Sequence, residues 1–157
     1  MPAYAFLHTP VTCPACQTQL DDQVWFQWGF CISRAQLPET TYALGDAIRW
    51  RKCNDGTVPS WTYLYAGDVQ IGANIGTPDE PNVIVRDWAN TQHEGPCPTC
   101  GVVLGSTAVE IRDGRIERAW ITRQGELPDG DVLRVLPDRQ LTTLVRGDVP
   151  MDVRRDC

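Results

Sequence analysis

Apolar and polar residues alternate along most of this chain with a period of two, the spacing at which side chains leave a pleated strand. The alternation is cleanest over Val24, Phe26, Trp28, Phe30 and Ile32, with Trp25, Gln27, Gly29, Cys31 and Ser33 between them. It predicts one continuous strand with a core face and a partly covered face, the second shared by Trp25 and Cys31. Tyr42, Leu44, Ile48 and Trp50 repeat the pattern, with Gly45-Asp46 marking a bulge or turn inside it. An aromatic stripe follows at Trp61, Tyr63 and Tyr65, then apolar segments at 83–88 and 102–104. The mostly apolar residues 1–12 read as a further strand. Asp113-Gly114 is a type I′ turn signal and predicts a hairpin over 109–118. In that register Ile111 faces Ile116 and Glu110 faces Glu117, the latter mildly unfavourable unless Arg112 and Arg115 compensate diagonally. Segments 132–136 and 141–145 complete the set of short strands.

Between these segments lie turn-forming residues, at 17–22, 53–56, 67–68, 74–82, 127–130 and 137–138. No segment holds a helical period over ten residues. The pattern leaves room for a short helix only near 33–37 or 138–144. The expected fold class is therefore mainly β, with little helix.

Composition changes this picture little. With 157 residues, 42% of them apolar, the chain is expected to form a single domain spanning 1–157. Thirteen glycines and twelve prolines suit many short elements joined by sharp turns. No apolar run approaches the roughly 18 residues of a membrane span. The N-terminal residues lack the basic and long apolar regions of a signal peptide. These features predict a cytoplasmic protein with no membrane association.

Cysteine changes it more. Seven cysteines in such a protein are better explained by metal than by disulfides, and an odd number argues against a closed disulfide framework. Four form two C-P-x-C turns, Cys13-Pro14-Ala15-Cys16 and Cys97-Pro98-Thr99-Cys100. A C-x-x-C turn lets two sulfurs reach one ion, and two such turns complete a tetrahedral four-cysteine site. The second turn, continued by Gly101, resembles the rubredoxin-type knuckle of zinc ribbons; the first carries Gln17 in place of that glycine. The resemblance spans the two knuckles and their flanking strands. It implies a split zinc ribbon joined to an antiparallel sheet or sandwich, with an inserted β region at 17–96 and a C-terminal β region at 101–157. The implied cofactor is one structural Zn²⁺ on Cys13, Cys16, Cys97 and Cys100, because four thiolates leave no coordination position for a substrate. Closing the intervening loop of 80 residues costs about 4 kcal/mol. Structural zinc contributes on the order of 10–16 kcal/mol, so the long spacer is no obstacle. Iron in the same four-cysteine site, or a C-x-x-C redox dithiol, are the competing readings.

The remaining chemistry-bearing residues have plainer explanations. Cys31 is expected to be a packed thiol. Cys53 reads as a spare ligand or a half-exposed thiol, and Cys157 as uninvolved. His8 and His93 precede the knuckles and are either neighbours of the site or solvated. A triad of Cys53, His93 and Asp87 has no support from spacing. No catalytic residue is assigned.

Function is therefore argued from charge and aromatic content. The net charge is −6, and residues 1–100 carry 10 acids against 5 bases. Such a surface repels nucleic acid and attracts basic protein partners. Five of six tryptophans, at 25, 28, 50, 61 and 88, lie between or near the knuckles. The leading expectation is a non-enzymatic, zinc-stabilised protein-binding module whose acidic, aromatic face docks a basic partner, as an antitoxin or immunity-type inhibitor does. One alternative is a nucleic-acid-binding zinc ribbon using Arg49, Arg51 and Lys52 with Trp50 and Trp61. Another is an enzyme housed in the inserted region.

Overall fold

The computed structural model describes residues 4–32, 38–58, 62–87 and 95–145. The fold is mainly β, and no α-helix occurs among the described residues. Among the described residues, twelve strands run in chain order: β1 (Ala5–Thr12), β2 (Gln19–Phe26), β3 (Gly29–Ile32), β4 (Thr41–Tyr42), β5 (Thr62–Ala66), β6 (Val69–Ile75), β7 (Val83–Asp87), β8 (Gly95–Pro96), β9 (Val103–Arg112), β10 (Arg115–Arg123), β11 (Val132–Val135) and β12 (Leu141–Val145). A 3₁₀ turn, Pro38–Thr40, precedes β4.

The strands form three sheets. The first has the order β2-β1-β4, with β1 antiparallel to β2 and parallel to β4. The second has the order β10-β9-β7-β11-β12, with β8 also paired to β9. The third is β3-β6-β5, antiparallel throughout. One buried apolar cluster draws on all three, including Leu7, Val24 and Phe26, Cys31 and Ile75, and Val85, Val109 and Ile121. A smaller cluster, Ile84, Ala108, Leu133 and Val135, lies on the other face of the large sheet.

Of the expected insertion at 17–96, only β3, β5 and β6 form a sheet of their own, and its other strands join sheets built with segments outside it. β2 pairs with β1, which precedes the first knuckle, and β7 lies at the centre of the C-terminal sheet between β9 and β11. The alternation of Val83, Val85, Val109, Ile111 and Ile116 on one face is satisfied only when these segments pair, so burial decides the partnership.

Three local expectations are corrected. The continuous strand over 24–32 is broken: β2 ends at Phe26, and β3 starts at Gly29 in a different sheet. Gly29 has φ 83°, and a Cβ there would lie 2.5 Å from Ile48 Cγ2 and 2.8 Å from the Arg49 carbonyl oxygen. Its left-handed backbone turns the chain and advances the buried face by one residue. Cys31 consequently points into the core, whereas Trp25 remains half-buried on the outer side.

The strand expected over 42–50 also reduces to Thr41–Tyr42. A turn at Gly45-Asp46 follows, closed by the Ala43 N–H donating to Asp46 Oδ2 at 2.9 Å. Leu44 is exposed and Ile48 is buried. Finally, the hairpin at Asp113-Gly114 forms with both residues at positive φ, and Ile111 does face Ile116. A bulge at Glu117 then places Arg118, not Glu117, opposite Glu110.

The turn at Cys53 matches expectation, with the Gly56 N–H donating to the Cys53 carbonyl at 2.9 Å. So do the strands at 132–135 and 141–145; the latter replaces any helix at 138–144. Trp61, Trp88, His93, Cys157, the possible helix at 33–37 and the terminal segment 151–157 lie outside the described residues.

Candidate metal centre

Each knuckle closes a β-hairpin. β1 and β2 flank the first, pairing as far as Thr12 with Gln19, and β8 and β9 flank the second, pairing Pro96 with Val103. The two loops share one hydrogen-bond pattern. The Cys13 N–H donates to the Thr18 carbonyl at 2.9 Å, and the Cys97 N–H donates to Val102 at 2.8 Å. The return bonds, Gln17 N–H to the Cys13 carbonyl and Gly101 N–H to Cys97, measure 3.0 and 2.9 Å. Gln17 and Gly101 both adopt positive φ, 63° and 77°. The missing glycine of the first knuckle therefore marks no change of geometry: Gln17 takes the left-handed conformation that glycine takes in the second.

The two loops bring Cys13, Cys16, Cys97 and Cys100 together, their sulfurs all within 4.8 Å of one another. Sγ of Cys13 is 3.6 Å from that of Cys100, and Sγ of Cys16 is 3.8 Å from that of Cys97. Sulfurs bound to one ion at about 2.3 Å in a tetrahedron stand about 3.8 Å apart. A disulfide would need about 2.05 Å. The cluster thus has the spacing and the soft donor set to hold a metal ion. Cys13 and Cys97 are buried in the main core, while Cys100 is exposed.

Hydrogen bonds around the sulfurs favour thiolate at some positions. The Ala15 N–H donates to Cys13 Sγ at 3.4 Å. Cys16 Sγ lies 3.2 Å from Thr18 Oγ1, and hydrogen bonding with the Thr18 side chain and backbone lowers that thiol to about 6. The Cys100 and Thr99 N–H groups lower Cys97. At Cys100 the Val102 N–H pulls down, but desolvation and the sulfurs of Cys13, Cys16 and Cys97 outweigh it and push the thiol up to about 11. Four crowded thiols cannot all ionise without a cation; a bound dication reverses that and releases protons as it binds.

The other candidates do not join the cluster. Cys31 is fully buried beside the Trp28 carbonyl, and desolvation pushes its thiol up to about 12, the packed role expected of it. Cys53, half-buried in its turn, is disulfide-bonded and so is neither the spare ligand nor the half-exposed thiol expected, and His8 is exposed on β1. Arg49 is committed to the fold: its Nη1 donates to the carbonyls of Pro38, Glu39 and Thr41, and its guanidinium lies 4.6 Å from the Tyr42 ring centroid. Arg51 lies 5.8 Å from the Phe30 ring.

Sequence reasoning missed the environment of Glu110. This carboxylate is 1% exposed on β9, held at 2.9 Å by both Arg118 Nε and Arg139 Nη2, with Arg112 at 3.6 Å. Burial alone would raise its pKa; the Arg118 and Arg139 donors outweigh that and hold it below the usual carboxylate range. The only signal was a glutamate inside an otherwise apolar alternation. Its partners depend on the Glu117 bulge and on the turn carrying Arg139, which the pattern does not encode. In comparisons with known proteins, the chain matches no family model, no curated protein and no solved structure.

Proposed function

We propose that Cys13, Cys16, Cys97 and Cys100 hold one structural Zn²⁺, as in a split zinc ribbon, and that the protein so stabilised is a non-enzymatic module for binding a basic protein partner. The observation that carries the zinc reading is the four-sulfur cluster at tetrahedral spacing. Four thiolates fill the coordination shell of zinc and leave no place for substrate, so its contribution is to stability. Cys13 and Cys97 are continuous with the core, which ties ion binding to packing. Metal analysis of the purified chain should return about one zinc per molecule. Iron at that stoichiometry would overturn zinc, and an absence of metal with all four thiols reactive would overturn the site.

The binding reading rests on the outer face of the β2-β1-β4 sheet. Tyr4, Phe6 and Trp25 are half-buried there, with the Phe6 and Trp25 rings edge to face at 4.7 Å and Tyr4 and Trp25 at 5.7 Å. Asp21 and Asp22 lie further along the same β2 strand. Partly exposed aromatics beside acids are favourable anchors for a basic partner. Trp28, by contrast, is buried, and Trp50 packs edge-on against it, so these two serve the core. Affinity capture from host lysate should yield a basic protein that is lost at high salt and with Trp25→Ala. Recovery of no such complex would remove this reading. Recovery of nucleic acid with a steep salt dependence would replace it with the zinc-ribbon alternative.

A further inference from the structure

The large sheet slips in register along β9, beside a change of pairing partner among the described residues. β7 pairs with β9 as far as Asp87 opposite Thr107, and β8 takes over at Gly95 opposite Leu104. Gly105 and Ser106 of β9 lie between these two partners, and the facing residues 88–94 are outside the described residues. On the opposite side, the β9–β10 ladder slips at the same place, between Ile121 opposite Thr107 and Arg123 opposite Leu104. Bulges of this kind open sheets and redirect side chains, often at binding sites. Here the slip lies beside a cleft of about 330 Å³, bordered by Arg86, Arg123, Ser106, Thr122, Val103 and Leu127. That volume is at the lower end of the range for small-molecule sites, about 300–1,000 Å³.

From this the geometry points to a binding site for a small organic anion, its phosphate or carboxylate group held by Arg86 and Arg123 and its apolar part resting against Val103 and Leu127. Three observations support it. First, Arg86 donates through Nη2 to the Pro128 carbonyl, which anchors the guanidinium, yet its buried Nε has no hydrogen-bond partner. A buried, unpaired N–H on a cation is costly, and an anion drawn to the same guanidinium offsets that cost through its charge. Second, the charge is complementary. Arg49, Arg112, Arg118, Arg134 and Arg139 each meet a carboxylate, whereas Arg86 and Arg123, like Arg51 and Arg115, meet none among the described residues, and only the first two border one cleft. Two such cations at one cleft stand out in a protein of net charge −6. Third, glycine permits the close strand packing that shapes this wall: a Cβ at Gly105 would lie 2.6 Å from Thr122 Oγ1 and 3.1 Å from the Arg123 carbonyl oxygen. Thr122 Oγ1 is itself committed to the Ser106 carbonyl at 2.6 Å, which fixes this wall of the cleft.

The test is a titration of the full-length, metal-loaded chain with phenyl phosphate, benzoate and benzyl alcohol, followed by ¹H–¹⁵N spectra that include arginine Nε–H signals. Phenyl phosphate or benzoate should move the Arg86 Nε–H resonance saturably, and whichever binds tighter identifies the oxyanion. Benzyl alcohol should leave it in place. Arg123→Gln, at an exposed position, should weaken binding about tenfold or more, as expected when a charge-assisted contact is lost. Arg86→Gln should abolish binding; if that variant unfolds, Arg123→Gln alone decides. The proposal is overturned if neither anion moves the Arg86 signal, if benzyl alcohol binds as well as the anions, or if a folded Arg123→Gln binds with unchanged affinity.

Discussion

Two side chains illustrate how much a single residue contributes here. Gln17 occupies a left-handed conformation that costs an L-residue roughly 1–2 kcal/mol, while a glycine there would cost roughly 0.5–1 kcal/mol in chain entropy. Gln17→Gly should therefore leave stability unchanged or raise it by up to about 1 kcal/mol, and Gln17→Val should lower it by about 1 kcal/mol or more. Urea denaturation of the metal-loaded proteins measures both; a clear loss on Gln17→Gly would show that its side chain matters and its backbone does not. Glu110 has the opposite character, since its value lies in the partners of its carboxylate. Removing charge-assisted hydrogen bonds from a buried group costs about 1–3 kcal/mol, moderated here because Arg112, Arg118 and Arg139 are half-exposed and can rehydrate. Glu110→Gln should lose about that much at neutral pH. The folded pKa of Glu110 lies below its unfolded value of about 4.3, so its contribution is complete above that pH. It disappears as the pH falls through the folded pKa. The difference between wild type and Glu110→Gln should accordingly shrink on acidification, and a difference that grows would refute the assigned ion pairs.

Among the elements, the break between β2 and β3 has the largest consequence. A single alternating run becomes two strands in two sheets because Gly29 bends the chain against Ile48 and Arg49. Gly29→Ala would combine positive-φ strain with a clash against backbone, so a loss of about 2 kcal/mol or more is expected, read as a lowered denaturation midpoint at unchanged slope. A neutral outcome would mean that the bend is imposed by packing elsewhere. The knuckles behave alike at this scale despite different sequences, because each is the loop of a hairpin with the same two pairs of backbone hydrogen bonds. Their likeness lies in the backbone, which explains why one of them tolerates glutamine where the other has glycine.

At the scale of the whole molecule, the cysteine cluster links two hairpins whose cysteines are 81 and 87 positions apart in the chain. If one ion joins them, removing any ligand removes the same link. Cys13→Ser and Cys97→Ser should then each cause a large loss of thermal stability, and the double variant should lose little more than either alone, a strongly non-additive cycle. Additive losses would show that the two turns act separately. Stripping the metal with a chelator should reproduce the effect of the single variants, and acid should do so too, because protons compete with the ion for the thiolates.

Several features are legible from residue order alone: the mainly β class, the hairpin at Asp113-Gly114, the C-terminal strands and the cluster of four cysteines at 13, 16, 97 and 100. All depend on short-range signals, namely period-two alternation, turn chemistry and the reach of a C-x-x-C loop. What the tertiary structure alone decides depends on contacts between distant segments. Gly29 breaks an apparently perfect strand because of Ile48 and Arg49; β7 leaves its neighbours in sequence to pair with β9 and β11; Glu110 finds Arg139. Alternation states which side chains seek burial without naming their partners, and the partners are chosen by which pairing covers the most apolar surface with the fewest unpaired polar groups. The cleft at Gly105 and Ser106 belongs to this second kind, since it lies where the β9–β10 ladder slips between distant segments.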